Sequence, residues 1–89
     1  MQFNTEADMS ERMVVDENGY LCFCEAYEEA SGVWRALVRF ERKSDHTAMK
    51  PHIASMRHTI VEKFATHHEA MEAAKAYARY KASQDDTGL

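Results

Sequence analysis

Residues 20–42 read YLCFCEAYEEASGVWRALVRFER, and how this stretch divides decides the fold. Its second half is the clearer. Trp34, Ala36, Val38 and Phe40 alternate with Arg35, Leu37, Arg39 and Glu41, the period-two pattern of a strand with one buried face. Ser31 and Gly32 supply turn chemistry just before it. Ahead of the turn, residues 20–29 read as a strand too, with Leu21, Phe23 and Tyr27 on one face and Tyr20, Cys22, Cys24 and Ala26 on the other. The two strands make a β-hairpin. Both faces of the first strand are apolar, so a slip of one residue would exchange them.

Outward from the hairpin, residues 43–56 break the alternation with charges, Pro51 and two histidines, and read as a long loop. Residues 57–64 return to extended chain and make a third strand, with Ile60 and Phe64 on one face. Thr66 and Glu69 then stand at capping-box spacing, so a helix starts at His67. Through about Ala82 it carries Ala70, Ala73, Ala74, Tyr77, Ala78 and Lys81 on one stripe, with Glu69, Glu72, Lys75 and Arg79 toward the other side. Alanines let such a helix lie close to a sheet. Asn18-Gly19 is a turn signal before the hairpin, and little periodicity precedes it.

The expected fold is therefore α+β, in the order β-β-β-α: a three-stranded antiparallel sheet with one C-terminal helix packed on one face. A flexible acidic N-terminal tail (1–17) precedes the single domain (18–83), and a disordered C-terminal tail (84–89) follows it. Trp34, Val38, Phe40, Ile60, Phe64, Ala74 and Tyr77 make up the expected core. One helix covers one sheet face, which leaves the other open. Cys22, Cys24, Arg35, Leu37, Arg39 and Val61 are assigned to that open face.

Three features carry a resemblance: Val33-Trp34-Arg35-Ala36 in the hairpin, Phe64-Ala65-Thr66, and the helix opening Glu69-Ala70-Met71-Glu72-Ala73-Ala74. Together they resemble small, uncharacterised β-β-β-α proteins common in proteobacteria, over roughly residues 20–82. The resemblance implies a fold and no activity. The order is more distantly similar to double-stranded-RNA-binding domains, whose three strands also precede an alanine-rich helix. It is similar as well to the HicB-type antitoxin fold. In the RNA-binding family lysines at the start of that helix grip phosphates; here the positions hold His67 and His68.

The 89 residues suffice for one small domain, with 45% hydrophobic and 29% charged residues. Fifteen acids and 11 bases give a net charge of -4, which argues against a globally cationic nucleic-acid coat. The distribution is uneven. Residues 1–32 hold eight acids and one base, whereas residues 33–58 hold six bases and two acids. Arg35, Arg39, Arg42, Lys43, Lys50 and Arg57 form this basic island, the candidate binding residues. Pairing between an acidic first strand and a basic second one is the ordinary account of such a layout. Contact with RNA phosphates is the alternative.

No run of 18 apolar residues and no secretory leader pattern occurs, so a cytoplasmic location without membrane contact is expected. Cys22 and Cys24 lie about 7 Å apart along a strand, too far for an unstrained disulfide. His46, His52, His58, His67 and His68, with the cysteines, are the only residues that suggest metal, but they lack the paired spacing of a zinc site. A metal-responsive protein is thus a further alternative, with no metal or cofactor assigned. Nucleophile, phosphate-loop and dinucleotide motifs are absent from the sequence, so no catalytic residue is assigned and no enzyme is expected. The leading expectation is a small binding or regulatory module. It would act through protein-protein contact, self-association included, on the open sheet face and the 43–56 loop.

Overall fold

In the computed structural model, which describes residues 12–89, Asn18 and Gly19 both have positive φ, 50° and 85°. That is the backbone of a two-residue type I′ turn, whose twist matches paired antiparallel strands on either side. The chain is strand on both sides: β1 (Arg12–Glu17) pairs with β2 (Tyr20–Ala30), Glu17 opposite Tyr20 and Arg12 opposite Glu25. The sheet therefore has four strands where three were expected, because the Asn-Gly turn recruits residues assigned to a tail. The rest of that expected tail, residues 1–11, lies outside the described residues.

β2 continues through the turn at Ser31 and Gly32 into β3 (Val33–Arg42), in the register Cys22 opposite Phe40 and Cys24 opposite Val38. A bulge between Glu28 and Ala30 adjusts the end of the ladder. Residues 43–56 are not wholly loop: a short helix, α1 (Lys43–Thr47), follows β3 directly and ends near Met49, which sits at φ 56°. β4 (Ser55–Thr59) then pairs with β3, completing the order β1-β2-β3-β4.

The strand expected over 57–64 is earlier and shorter. The Ile60 N–H still bonds the Ala36 carbonyl at 2.9 Å, but the Arg35 guanidinium takes the Ile60 carbonyl at 3.1 Å. The chain leaves the ladder there, with Val61 exposed, and returns only at Phe64, which exchanges two backbone bonds with Trp34.

α2 (His67–Ser83) lies across one face of the sheet. Thr66 Oγ1 accepts the Glu69 N–H at 3.1 Å, as its spacing predicts. The Glu69 carboxylate reaches back one residue further than expected, to the Ala65 N–H. Such a cap contributes about 1 kcal/mol. Ala70, Ala74, Ala78 and Ala82, four residues apart, are fully buried on the sheet side, with Met71 beside them.

Opposite these alanines stand the small side chains Cys22, Cys24, Ala26 and Ala36, which let the helix backbone approach the sheet closely. Cys22 and Cys24 thus belong to the core, not to the open face as expected. Phe40, Val38, Ile60 and Ala74 are buried as expected, whereas Trp34, Phe64 and Tyr77 are only half-buried against them.

α2 ends in a Schellman motif, with Asp85 in the left-handed region at φ 55° and the Asp86 N–H bonded back to the Lys81 carbonyl at 2.9 Å. From the first hairpin, the Asn18 side-chain amide donates to the Ala82 carbonyl at 2.8 Å and the Tyr20 hydroxyl donates to Asp85. Thr87 is fully buried and Leu89 packs on the core. Residues 84–89, expected to be a disordered tail, dock through the Tyr20 bond to Asp85, the His58 ring against the Thr87 carbonyl and Leu89 on the core. No helix among the described residues is long and apolar enough to cross a membrane.

Candidate functional site

The register of the four strands sorts the open face into rows running across the sheet. One row is Val14, Phe23, Arg39 and Arg57; a second is Arg12, Glu25, Leu37 and Thr59; a third is Asp16, Leu21, Glu41 and Ser55. Tyr27 stands opposite Arg35 beyond them. Leu21, Phe23 and Leu37 are half-buried and Val14 is 55% exposed, so an apolar centre faces outward. No element among the described residues covers it.

Charged groups surround that centre. The Arg39 guanidinium lies 4.6 Å from the Phe23 ring centroid, a cation-π contact, and its Nε bonds Glu41 at 3.1 Å. Glu41 also meets His46 Nε2 at 2.7 Å. Arg12 pairs with Glu25 at 3.4 Å. Arg35 bonds Glu29 at 2.8 Å, and that guanidinium, aided by Lys63, holds the Glu29 carboxyl below its usual range. Arg57 faces Arg39 directly across the ladder and has no carboxylate partner among the described residues. Two like charges so opposed destabilise the bare sheet.

The basic island does not form one surface. Arg35, Arg39 and Arg57 share the open face, but Arg42, Lys43 and Lys50 gather at the α1 corner. There Asp45, only 4% exposed, meets Lys50 at 3.1 Å and Arg42 at 3.4 Å, while Lys43 reaches Asp16 at 2.6 Å. Lys50 first, then Arg42, keep the Asp45 carboxyl below the usual carboxylate range. Five of the six candidate cations therefore already touch a carboxylate.

The histidines are dispersed. His58 faces the helix from β4: its Nε2 lies 2.8 Å from the Thr87 carbonyl and its Nδ1 2.7 Å from the Tyr77 hydroxyl. A carbonyl only accepts, so Nε2 carries a proton, and Nδ1 accepts from the tyrosine in that tautomer. His67 meets Trp34 edge-on with centroids 5.3 Å apart. Among the described residues no three His, Cys, Asp or Glu side chains gather where a metal ion could be held.

Cys22 and Cys24 are inaccessible thiols, pushed up to about 12 and about 11 chiefly by burial. At pH 8 about one Cys24 in a thousand would be thiolate even if reagent could reach it. Iodoacetamide labelling of the folded protein is expected to run at least about a thousandfold slower than for free cysteine, and to track global unfolding as urea is added. Rapid labelling without denaturant would show that α2 lifts from the sheet.

Compared with protein-family models, curated proteins and solved structures, the chain matches none. The functional reading therefore rests on the geometry. Sequence reasoning named Arg35, Leu37 and Arg39 on this face but missed Val14, Leu21 and Phe23 at its centre. Their signal was the odd-numbered alternation of residues 21–27 continued across the Asn-Gly turn.

Proposed function

We propose that this chain is a small interaction module whose open sheet face binds protein, with the 43–56 segment contributing at its margin. The observation that carries the reading is the one-sided cover: α2 buries the Cys22 side of the sheet, while Val14, Leu21, Phe23 and Leu37 face out on the other. An apolar centre with charged surroundings is the anatomy of a protein contact. A phosphate-binding role finds less support, because RNA would have to displace carboxylates from five of the six cations. Among the described residues no constellation on the face supplies a nucleophile with its base, and the reading is of a binding protein rather than an enzyme.

Site-specific photo-crosslinking in cells tests it. A benzophenone side chain at Leu37 is expected to give one discrete protein adduct, lost when Phe23→Asp is added. The same group at Tyr80, exposed on α2, gives none. Equal adducts from both positions, or none from Leu37, would remove the open face as the binding surface.

A further inference from the structure

We propose that Asn18 is a site of spontaneous deamidation, and that the change detaches the first hairpin from the C-terminal end of α2. The chain has two asparagines, and Asn18 is the one followed by glycine. A glycine there leaves the next backbone nitrogen open to attack, because no Cβ screens it. The structure adds to this. Both turn residues are exposed, a Cβ at Gly19 would meet nothing within 4 Å, and the Gly19 N–H makes no hydrogen bond among the described residues. Nucleophile, electrophile and water therefore share one turn. This chemistry is independent of what the open face binds.

The step needs no reagent but water. The Gly19 nitrogen, after giving its proton to hydroxide, attacks the side-chain carbonyl carbon of Asn18. A new C–N bond closes a cyclic imide, the bond from that carbon to Nδ2 breaks, and the nitrogen leaves as ammonia with a proton from water. Water then opens the imide at one of its two carbonyls. Opening at the side-chain carbon leaves an aspartate at position 18. Opening at the backbone carbon leaves an isoaspartyl link, in which the main chain runs through the former side chain and is one atom longer. Either product is an anion where the amide was neutral.

The surroundings give the change its consequence. The Asn18 amide donates to the Ala82 carbonyl at 2.8 Å, next to the bond from the Tyr20 hydroxyl to Asp85. A carboxylate has no hydrogen to donate, so acceptor would face acceptor. It would also stand at the negative end of the α2 dipole, where the chain already carries Asp85 and Asp86. The isoaspartyl link acts on the turn as well. Asn18 and Gly19 lie at φ 50° and 85°, and a two-residue turn of this type has no room in its register for another backbone atom. The pairing of β1 with β2, which buries Val15, depends on that register.

The same bond restrains the reaction. Ring closure requires the Asn18 side chain to turn over the Gly19 nitrogen, and it must leave Ala82 to do so. A hydrogen bond of ordinary net strength slows such a step about fivefold.

Timed incubation of the full chain, folded and in urea, followed by mass spectrometry of its peptides tests the site. A gain of about one dalton in the peptide holding Asn18 is expected in both, about fivefold slower in the folded protein. A folded rate more than about a thousandfold below the unfolded one would mean that the reaction waits for global unfolding, and overturns the proposal. So does a chain in urea that converts no faster at Asn18 than at Asn4.

The consequence is read by amide exchange in Asn18→Asp, since aspartate also adopts the left-handed turn position, and in the isoaspartyl chain separated after incubation. The Asp85 and Asp86 N–H groups bond the Ala82 and Lys81 carbonyls at 3.0 and 2.9 Å. Both chains are expected to exchange these two amides about fivefold faster or more while β3 is unchanged, and the isoaspartyl chain to lose protection in β1 too. Exchange at Asp85 and Asp86 as slow as in the unmodified protein, in either chain, overturns the detachment.

Discussion

Phe40→Ala is expected to remove about 3–5 kcal/mol of folding stability, read as a drop in the urea midpoint with little change in slope. Phe40 is the largest fully buried side chain. Cys22 and Met56 flank it across the ladder, and the His58 ring stands edge-on to it with centroids 4.9 Å apart. Cys22 is held in the β2 ladder and His58 by bonds to Tyr77 and Thr87, which leaves the flexible Met56 as the neighbour able to fill part of the space. At about 0.05–0.15 kcal/mol per residue, a chain of this length has roughly 4–13 kcal/mol in all, so the loss takes a third or more of the total over most of that range and unfolds the variant only at its lower end. Phe23→Ala is the control. That ring is half-buried on the open face, and its loss should cost under about 1 kcal/mol. A Phe40→Ala effect as small as that would mean the β3–β4 end lies outside the cooperative core.

The contrast between Phe40 and Phe23 also marks where the sequence was legible. In β3 the even positions from 34 to 40 are apolar and arginines occupy two of the odd ones, so the inward face of Phe40 is read directly. In β2 both parities are apolar, and hydrophobicity alone favours the larger Leu21, Phe23 and Tyr27 for the core. Size settles it the other way. A helix that presents Ala70, Ala74, Ala78 and Ala82 must sit close to the sheet, and only Cys22, Cys24, Ala26 and Ala36 leave room for it. The matching of small stripe to small stripe was present in the sequence but belongs to pairs of elements, which periodicity within one element does not test.

β1 escaped for a related reason. Met13, Val14 and Val15 are too few to make a strand by alternation, and their partner residues lie beyond a turn. The turn itself was the signal, since an Asn-Gly pair with both residues at positive φ joins strands on both sides.

For the site, counting charges found the arginines but not their counterparts. Glu41 and Asp45 lie two and three residues from Arg39 and Arg42, but Asp16 on β1 and Glu29 on β2 meet Lys43 and Arg35 only through the fold. Strand parity alone would have separated Arg42 from Arg35 and Arg39, because odd and even positions face opposite ways.

A chain ending at Asp86 is expected to lose about 2–3 kcal/mol, although the three residues removed contribute no regular structure. Thr87 is fully buried and its carbonyl accepts a hydrogen bond from the His58 Nε2–H; Leu89 packs on the core. Gly88, at φ 95°, lies so close to Met56 that a Cβ there would come within 3.0 Å of the methionine methyl. Deleting the segment exposes part of the apolar floor and leaves a ring donor to find water, at about 1–3 kcal/mol for the donor if water does not reach it fully.

The share due to His58 can be separated from lost packing by a double-mutant cycle with His58→Phe. If Thr87 acts through the imidazole, the deletion and the substitution together should cost about 1 kcal/mol less than their sum. Strict additivity would show that the C-terminal residues stabilise by packing on Met56 and the core alone. In either case amide exchange in β4 should accelerate more than in β1, because β4 is the edge strand whose inward face these residues close. Uniform acceleration across all four strands would instead mean that the segment supports the domain only through its global stability.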